Sequence, residues 1–404
     1  MSDNAQVIVA GHICLDVIPT LEVRGGGLDT LLVPGKLVNV GPAVMSTGGT
    51  VSNTGLALHR LGISTKLMGK IGDDLFGTAI LDHLRSYDDA LVDGMIIGEG
   101  ESSSYTIIIS APGVDRMFMH CPGTNDTFCV DDIDIDQLAG AQIFHFGYPP
   151  IMRCMYENGG VGLATLMKRV KAAGLITSLD MAYPDPDSEA GQVDWTSLLE
   201  RVLPQVDLFL PSLDEILFML DRPRHDALSE AATGELAASV DSALMSALAG
   251  RLLDMGAAVA VLKLGSEGLY ARTSSDGEQL ASIGVSAAND ADNWLDRELL
   301  VPCFKANIVG TTGAGDCTIA GFLAGLLKDQ PIEDILTSAV AVGAFSVESA
   351  DATSGVPDWN TVQVRVNADW KRLPLALSLQ GWQLDAEKGI WLGPNDKRGE
   401  SFSR

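Results

Sequence analysis

The sequence is short of basic residues. Its 27 lysines and arginines stand against 53 aspartates and glutamates, which gives a formal net charge of −26 at pH 7. A surface this acidic repels the phosphate backbone of nucleic acids, so the deficit argues against a DNA- or RNA-binding protein. The same field repels any anionic small molecule. A protein of this charge that uses such a molecule needs a local device to hold it.

Long apolar runs are also missing. The longest, such as residues 257–262 and 319–327, fall well below the roughly 18 apolar residues that a membrane-spanning helix needs. The first residues show no basic region followed by an apolar stretch, which is the pattern of a secretory signal. We therefore expect a cytoplasmic protein with no membrane partner.

Cysteine pairs with a recognisable spacing are absent too. The six cysteines form no CxxC pair and no zinc-binding pattern, and the histidines show no metal-ligand spacing. Scattered thiols of this kind are typical of buried side chains in a reducing compartment. We expect all of them to be free thiols.

The hydrophobic pattern of the sequence alternates between segments typical of strands and segments typical of helices. The chain has 404 residues, of which 46% are apolar, which is enough to bury a large core. Short β-branched runs alternate with helical patterns, and this order predicts an α/β fold with a doubly wound, mostly parallel sheet covered by helices on both faces. The predicted strands are 7–10, 107–110, 143–146, 175–179, 207–210 and 257–264, and the predicted helices are 51–61, 74–85, 162–173, 239–255, 316–327 and 332–347.

Some segments break this alternation. Residues 12–46 and 94–120 carry short strand-like pieces without helices between them, at 95–97, 105–110 and 116–120. These pieces predict a small antiparallel sheet inserted in the main domain. Two further insertions lie at 221–239 and 279–297, the second of which we expect to be a loop. The polar end from residue 396 onward is expected to fray.

The strongest chemical signal is the segment 307–316 (NIVGTTGAGD), which precedes an apolar helical pattern. Small residues at the start of a helix let the backbone N–H groups of Gly313, Ala314 and Gly315 converge on one point, aided by the positive end of the helix dipole. Such an anion hole is the local device that the acidic composition requires. It is not a Walker A loop, because the sequence contains no GxxxxGK[ST].

Asp316 lies at the start of the same predicted helix, and two interpretations of it are open. A carboxylate beside an anion hole suits a general base that takes the proton of an attacking hydroxyl group. Alternatively, Asp316 is only the N-cap of the helix, a position that aspartate favours.

Several motifs in order along the chain carry a family resemblance. They are the segments 11–16 (GHICLD), 48–53 (GGTVSN), 57–62 (ALHRLG), 69–77 (GKIGDDLFG), 122–125 (PGTN), 264–268 (LGSEG) and 311–316 (TTGAGD). Together they resemble the ribokinase/PfkB carbohydrate kinases, and the resemblance covers about residues 5–357.

The resemblance implies a fold and a reaction. It implies one ribokinase-like kinase domain over 1–357, with a small β-sheet lid from 12–46 and 94–120, followed by an extension over 358–404. The implied reaction transfers the γ-phosphate of ATP, with Mg²⁺, to a hydroxyl of a small sugar or sugar acid. A homodimer through the lid is a further expectation. Two alternatives stay open, namely a nucleoside kinase on the same scaffold and a catalytically silent protein that binds sugar or nucleotide.

The resemblance also implies a role for individual residues. Asp316 becomes the catalytic base, and Glu215 acts on the water shell of Mg²⁺. The implied anion hole is Gly313, Ala314 and Gly315; the implied substrate ligands are Asp16, Gly48, Gly49 and Asn53; the implied nucleotide-binding residues are Lys263, Gly265, Gly268 and Thr311.

The chain departs from the family pattern at two positions. Gly310 stands where the family usually has an aspartate associated with a monovalent-cation site, which leaves potassium dependence open. Ser212 replaces the asparagine of the family's Asn-x-x-Glu element, although Glu215 is kept. Glu215, with Asp214, is either a magnesium-water ligand or an acidic pair that suits a helix N-terminus.

Four other candidates are weaker. His145 is expected to be an interior histidine, and Arg116 an edge charge on a lid strand rather than a substrate ligand. The acidic segment 131–136 lacks the glycine and closing glutamate of a calcium loop, so a solvated connection is expected. Asp180 ends a predicted parallel strand, where ligands bind in such sheets, and so has a minor claim on the site.

Overall fold

A computed structural model describes residues 5–21, 33–109, 117–231, 236–281, 283 and 291–398. Arg116 lies outside these residues. Within these ranges, the helices are all too short or too polar to cross a membrane.

The chain alternates strands and helices for most of its length. The strands are β1 (Val7–Gly11), β2 (Cys14–Pro19), β3 (Ala43–Gly48), β4 (Thr65–Met68), β5 (Lys70–Gly72), β6 (Ile96–Gly98), β7 (Tyr105–Ile109), β8 (Met117–Cys121), β9 (Ile143–Gly147), β10 (Ile176–Leu179), β11 (Leu208–Phe209), β12 (Val259–Lys263), β13 (Leu269–Thr273), β14 (Glu298–Val301), β15 (Gln383–Asp385) and β16 (Ile390–Leu392). The helices are α1 (Thr50–Arg60), α2 (Leu75–Arg85), α3 (Thr124–Thr127), α4 (Arg153–Ala172), α5 (Trp195–Val202), α6 (Leu213–Leu220), α7 (Arg222–Ala231), α8 (Ser242–Asp254), α9 (Gly277–Ala281), α10 (Ala291–Trp294), α11 (Ala314–Leu327), α12 (Ile332–Ser346) and α13 (Trp359–Val366).

The main sheet has the strand order β15-β16-β14-β13-β12-β11-β10-β9-β1-β4. The strands from β4 to β12 in this order are parallel, and those from β13 to β15 are antiparallel. Alternate residues of β1 enter two cores: Val7 and Val9 pack with α1 and α11, while Ile8 and Ala10 pack with α4 and α5. The predicted doubly wound, mostly parallel α/β sheet is confirmed, because a strand buried on both faces needs helices on each side.

A smaller sheet, which we call the lid sheet, has the order β3-β2-β7-β8. Its outer pairs are antiparallel, but β2 and β7 pair in parallel. Strand β6 does not join it and instead pairs in parallel with β5. The expected purely antiparallel lid with a strand at 95–97 is therefore wrong in these two respects. The crossover through α2 brings the chain back in the same direction, which makes the β2–β7 pair parallel.

Two of the six cysteines form a disulfide in the structure. Cys129 and Cys154 are bonded, with their Cα atoms 5.3 Å apart and 25 positions apart in sequence. The expectation that all six are free thiols is wrong for this pair, because the fold brings the segment after α3 against the first turn of α4. Sequence spacing does not reveal such a contact. The other four cysteines are not in a disulfide.

The C-terminal segment is more ordered than the sequence indicates. Strands β15 and β16 extend the main sheet from β14, and the buried Asp396 accepts a hydrogen bond from Arg297 Nε at 2.9 Å. Fraying from residue 396 is therefore wrong for 396–398; the last residues lie outside the described part.

The two predicted insertions are partly helical. Within 279–297, α9 and α10 are helical and Trp294 is fully buried, so the expected loop is wrong where the structure describes it. The insertion at 221–239 forms α7 and a 3-10 turn at Leu236–Ser239.

Candidate active site

The N-termini of α1 and α11 face each other at the carboxyl ends of β1 and β9. Gly49 precedes α1 with φ 85°, and Gly313 precedes α11 with φ 72°. A Cβ built on Gly313 would lie 3.5 Å from Cγ of Asn53, so the two helix starts are in close contact. Only glycine adopts these backbone angles without strain, which explains why a glycine opens each helix.

Asp316 points into the space between these helix starts and is only 3% exposed. One carboxylate oxygen, Oδ2, accepts hydrogen bonds from Asn53 Nδ2 at 3.0 Å and from the Tyr148 hydroxyl at 2.8 Å. The other, Oδ1, accepts from Thr54 Oγ1 at 3.3 Å. Burial raises the pKa of Asp316, while the Lys263 ammonium and these hydrogen bonds act against that rise.

The helix-capping interpretation of Asp316 is wrong. Gly313 is the N-cap of α11, and Asp316 is the third residue of the helix, where its side chain bonds across to α1 and to the loop after β9. A carboxylate in the first turn still gains from the helix dipole.

The N–H groups predicted to form an anion hole lie at the start of α11. The Ala314 N–H donates to Thr311 O at 3.3 Å, whereas the N–H groups of Gly313 and Gly315 have no acceptor among the residues described. Thr311 itself is exposed. Two backbone donors at a helix N-terminus remain available to an anion at this point.

Lys263 places a positive charge beside this loop. A Cβ built on Gly315 would lie 3.7 Å from Lys263 Nζ, and Nζ forms a 2.6 Å ion pair with Asp180 Oδ1. Burial opposes the charge of the ammonium, but the carboxylates of Asp180 and Glu215 outweigh it and raise the pKa of Lys263. Lys263 therefore stays cationic next to the two backbone donors.

Asp180 follows the last residue of β10 and lies beside Lys263. The sequence indicated it as a weaker candidate for the site. Its side chain is 1% exposed, and Oδ2 has no hydrogen-bond partner in the described structure. Burial raises the pKa of Asp180, and Lys263 offsets part of that rise. An unpaired buried carboxylate oxygen is costly, and a further ligand bonded to it would offset that cost.

Glu215 has the helix-terminal role that the sequence left open. Its Oε2 accepts from Ser212 N at 2.7 Å, and Ser212 Oγ accepts from Glu215 N at 3.2 Å, which forms a capping box at the start of α6. Ser212 also bridges to Lys263, so the box adjoins the site. Nowhere in the described chain do three or more His, Cys, Asp or Glu side chains form a group able to hold a metal.

Two of the residues expected to bind the sugar, Asp16 and Gly48, lie against each other. A Cβ built on Gly48 would lie 2.5 Å from Asp16 Oδ2, so glycine is required there for the carboxylate to fit. Cys14 Sγ donates to Asp16 Oδ1 at 3.4 Å. Burial raises the pKa of Asp16 to about 6.

The glycines expected near the nucleotide frame a short turn after β12. Gly265–Glu267 forms a 3-10 turn, and a Cβ on Gly268, whose φ is 113°, would collide with Val301 O. The Glu267 carboxylate accepts hydrogen bonds from Ala376 N at 2.8 Å and from Leu377 N at 3.3 Å. The C-terminal segment thus holds this turn in place.

Two residues of the site were not singled out in the sequence. Tyr148 follows Gly147 at the end of β9 and has φ 68°, which is unusual for a residue other than glycine. Its position after a central parallel strand was the signal that could have found it. Thr54 lies one turn into α1 and has no such signal. His145, as expected, is interior: its ring nitrogens contact Thr50 Oγ1 at 3.4 Å and Ser178 Oγ at 2.9 Å.

Solved structures define the class of the fold. A ribokinase from Arabidopsis thaliana, complexed with ribose and ATP, superposes with a TM-score of 0.65 at 17% identity, covering 90% of this chain and 98% of that chain. A fructokinase with bound ATP from Xylella fastidiosa gives 0.64 at 17% identity, covering 90% and 99%. The protein has a ribokinase-like fold.

The family follows from the sequence. The model of the pfkB family of carbohydrate kinases matches residues 4–359, and the chain belongs to this family. An uncharacterized sugar kinase from Archaeoglobus fulgidus is 27% identical over 302 residues, covering 75% of this chain and 98% of the relative. Fructokinase-2 of Oryza sativa is 24% identical over 363 residues, covering 87% and 90%. The predicted family is confirmed.

Proposed function

We propose that this carbohydrate kinase transfers the γ-phosphate of ATP to a hydroxyl of a small sugar or sugar-like alcohol, with Asp316 as the general base. The observation that carries the proposal is the buried Asp316 carboxylate beside the N–H groups of Gly313 and Gly315, which have no acceptor among the residues described. A base and an anion-binding backbone at one helix start are what phosphoryl transfer to an alcohol requires.

The residues around Asp316 have separate roles in the proposed reaction. The acceptor hydroxyl gives its proton to Asp316 as its oxygen attacks the γ-phosphorus, and the bond to the β-γ bridging oxygen breaks. The N–H groups of Gly313 and Gly315 and the Lys263 ammonium stabilise negative charge on the transferred group and on the leaving ADP. Asn53 and Tyr148 hold the carboxylate in place through Oδ2.

The donor set beside Lys263 fits a magnesium ion. Asp180 Oδ2 is buried and unpartnered, and one Glu215 oxygen is not used by the capping box. Mg²⁺ keeps several waters and takes few protein carboxylates, so these oxygens suffice together with the phosphates. When bound, Mg²⁺ neutralises charge on the phosphates of ATP.

A panel of acceptors tests the proposal. Ribose, fructose, 2-keto-3-deoxygluconate and adenosine are offered with MgATP, and acceptor-dependent ADP formation is measured. We expect at least one sugar to support turnover and EDTA to abolish it. Asp316→Asn, purified in the same way, controls for contaminating kinases. Preference for adenosine would favour the nucleoside-kinase alternative, and ADP formation with none of the acceptors would favour the silent binding protein.

We also propose that the lid sheet forms a homodimer. Its strands expose the apolar side chains of Val44, Met45, Phe118 and Met119, each more than half exposed. Apolar side chains grouped on one sheet favour burial against a second copy. Light scattering of the wild type and of Phe118→Glu tests this: we expect a dimer and a monomer respectively, and a monomeric wild type contradicts the proposal.

A further inference from the structure

His12 has an unusual environment for a buried histidine. It follows the last residue of β1 and is 3% exposed. Neither ring nitrogen, Nδ1 nor Nε2, has a hydrogen-bond partner among the residues described. Buried polar atoms almost always have a partner, so two orphaned nitrogens on one ring require an explanation.

The backbone holds His12 in this position. Its N–H donates to Gly147 O at 3.3 Å, and its carbonyl accepts from Val51 N at 3.2 Å. The next residue, Ile13, donates to Asn125 Oδ1 at 3.2 Å and accepts from Asn125 Nδ2 at 2.9 Å. The segment 122–125, which was expected on the substrate side, therefore fixes the backbone next to His12 through the Asn125 side chain. The imidazole is presented by a fixed turn.

The imidazole lies between the lid and the catalytic carboxylate. Its ring centroid is 5.3 Å from that of His120 on β8 and 6.0 Å from that of Tyr148. A Cβ built on Gly49 would collide with His12 Nδ1, just as a Cβ on Gly48 would meet Asp16. The Asp16 side chain thus packs against Gly48 and the His12 side chain against Gly49. Tyr148, next to His12, donates a hydrogen bond to Asp316.

A purely structural histidine looks different in this molecule. His145, also fully buried, has both ring nitrogens in contact with hydroxyl groups. Burial, followed by the influence of His120, lowers the pKa of His12 to about 3. The ring is therefore neutral at pH 7, with one donor and one acceptor nitrogen. Either nitrogen can therefore bond a hydroxyl group, which both donates and accepts, whereas a carboxylate or phosphate, which only accepts, can satisfy the donor nitrogen alone.

We propose that His12 hydrogen-bonds a hydroxyl group of the acceptor and is a specificity-determining residue for an uncharged sugar or polyol. The inference rests on the proposed function, because it assigns the space between Asp16, Gly49 and Asp316 to the acceptor. It narrows that function: the part of the acceptor that lies against His12 carries a hydroxyl group and not an acidic group.

Two substitutions at His12 test the inference. His12→Leu removes both ring nitrogens, and His12→Asn keeps one polar group near the position of Nδ1. For the best acceptor of the panel, we expect His12→Leu to lower kcat/KM by about 10- to 100-fold, the cost of leaving a buried hydroxyl unpaired. We expect His12→Asn to lose less, and the Kd of ATP to be unchanged in both. His83→Asn, on α2 away from the site, is the matched control.

Deoxy analogues of the acceptor separate hydrogen bonding from general damage. Each lacks one hydroxyl and is compared between the wild type and His12→Leu as a double-mutant cycle. One analogue should lose as much kcat/KM with the wild type as His12→Leu loses with the full acceptor, and the two losses should not add. Equal kcat/KM in the wild type and His12→Leu, or additive losses for every analogue, overturns the inference while leaving the kinase function intact.

Sugar binding without ATP gives a readout that does not depend on turnover. Calorimetry measures binding of the same sugars, and ¹⁵N NMR of histidine-labelled protein follows the ring nitrogens of His12. A shift of those signals on sugar binding, absent in His12→Leu, supports the inference even if ADP formation fails and the kinase proposal falls. If the wild type binds none of the sugars, or binds without a shift, the inference is wrong.

Discussion

Replacing Asp16 by asparagine should stabilise the protein while it removes acceptor binding. Burial raises the pKa of this carboxyl from 3.8 to about 6, because the lid and Gly48 enclose it and the free protein offers it no cationic partner in the residues described. One pKa unit corresponds to about 1.4 kcal/mol, so the ionised carboxylate costs at most about 3 kcal/mol of folding free energy. Because the side chain is partly exposed, we expect about 1–3 kcal/mol.

The sign of the pH dependence follows from the raised pKa. The native state binds a proton at Asp16 more readily than the unfolded state does, so this group's contribution to stability is complete below pH 4. It is lost as the pH rises to about 6. Asp16→Asn does not ionise and does not lose this contribution. The variant should therefore be more stable than the wild type at pH 7.5, and the difference should vanish near pH 4.

Urea unfolding at pH 7.5, 6 and 4.5 measures this difference, and acceptor-dependent ADP formation measures function. We expect kcat/KM for the acceptor to fall by at least about 100-fold, since the carboxylate makes charge-assisted hydrogen bonds to hydroxyl groups. Asp74→Asn is the control of opposite sign. The pKa of Asp74 is lowered by hydrogen bonds from Ser103 and Gly77 that outweigh its burial, so that variant should lose stability at pH 7.5. An Asp16→Asn protein that is less stable than the wild type at pH 7.5 refutes the reasoning.

Three further substitutions probe the site and its support. Tyr148→Phe removes the 2.8 Å hydrogen bond to Asp316, a bond that lowers the pKa of that carboxyl. We expect kcat to fall about 10-fold and the acid limb of the pH–rate profile to move to higher pH. An unmoved acid limb counts against Tyr148 as a residue that positions the base. Lys263→Met leaves Asp180 buried without its cation, so unfolding in urea should show a loss of about 3–5 kcal/mol. Adding Asp180→Asn should restore stability but not activity, and additive losses contradict the pairing. Arg297→Leu breaks two buried ion pairs, one with Glu333 on α12 and one with Asp396 in the C-terminal segment. It should cost a similar 3–5 kcal/mol in the same assay, and a change below about 1 kcal/mol argues against these pairs.

The central parallel strands of the main sheet were predictable because their residues are apolar and often β-branched, whereas β4 and β13 to β16 were not predicted. The segment 257–264 is apolar except for Lys263, as expected of a strand buried on both faces, so its position and type followed from this apolar run. The pattern at 311–316 was equally informative, since only small residues leave backbone N–H groups accessible at a helix start. Asp316 followed from its place in that pattern.

What the sequence did not predict depends on contacts between distant segments. Cys129 meets Cys154 because the start of α4 lies against the segment after α3, and no spacing rule encodes this contact. The C-terminal segment was expected to fray because its end is polar, yet Asp396 is buried and pairs with Arg297. Burying a charge costs little free energy only beside a partner of opposite charge, and the sequence does not identify that partner. Tyr148 and His12 join the site for the same reason: their neighbours, such as Asp316 on α11 and His120 on β8, lie far away in the sequence.

The acidic composition gains a physical account from the site. With a net charge of −26, the protein places Lys263 and two backbone N–H groups where the phosphates of ATP are proposed to bind. Local donors at short range outweigh a diffuse field that salt screens over about 10 Å. A basic surface is therefore unnecessary for this nucleotide.

The rate of phosphoryl transfer in Asp316→Asn tests the central claim most directly. Asparagine keeps the size of the side chain and can still bond to Asn53 and Tyr148, but it cannot accept the proton of the acceptor. We predict that acceptor-dependent ADP formation falls by at least about 10²–10⁴-fold, while the Kd of ATP, measured by calorimetry on the same sample, changes less than about threefold. Turnover within tenfold of the wild type would contradict the assignment of Asp316 as the base.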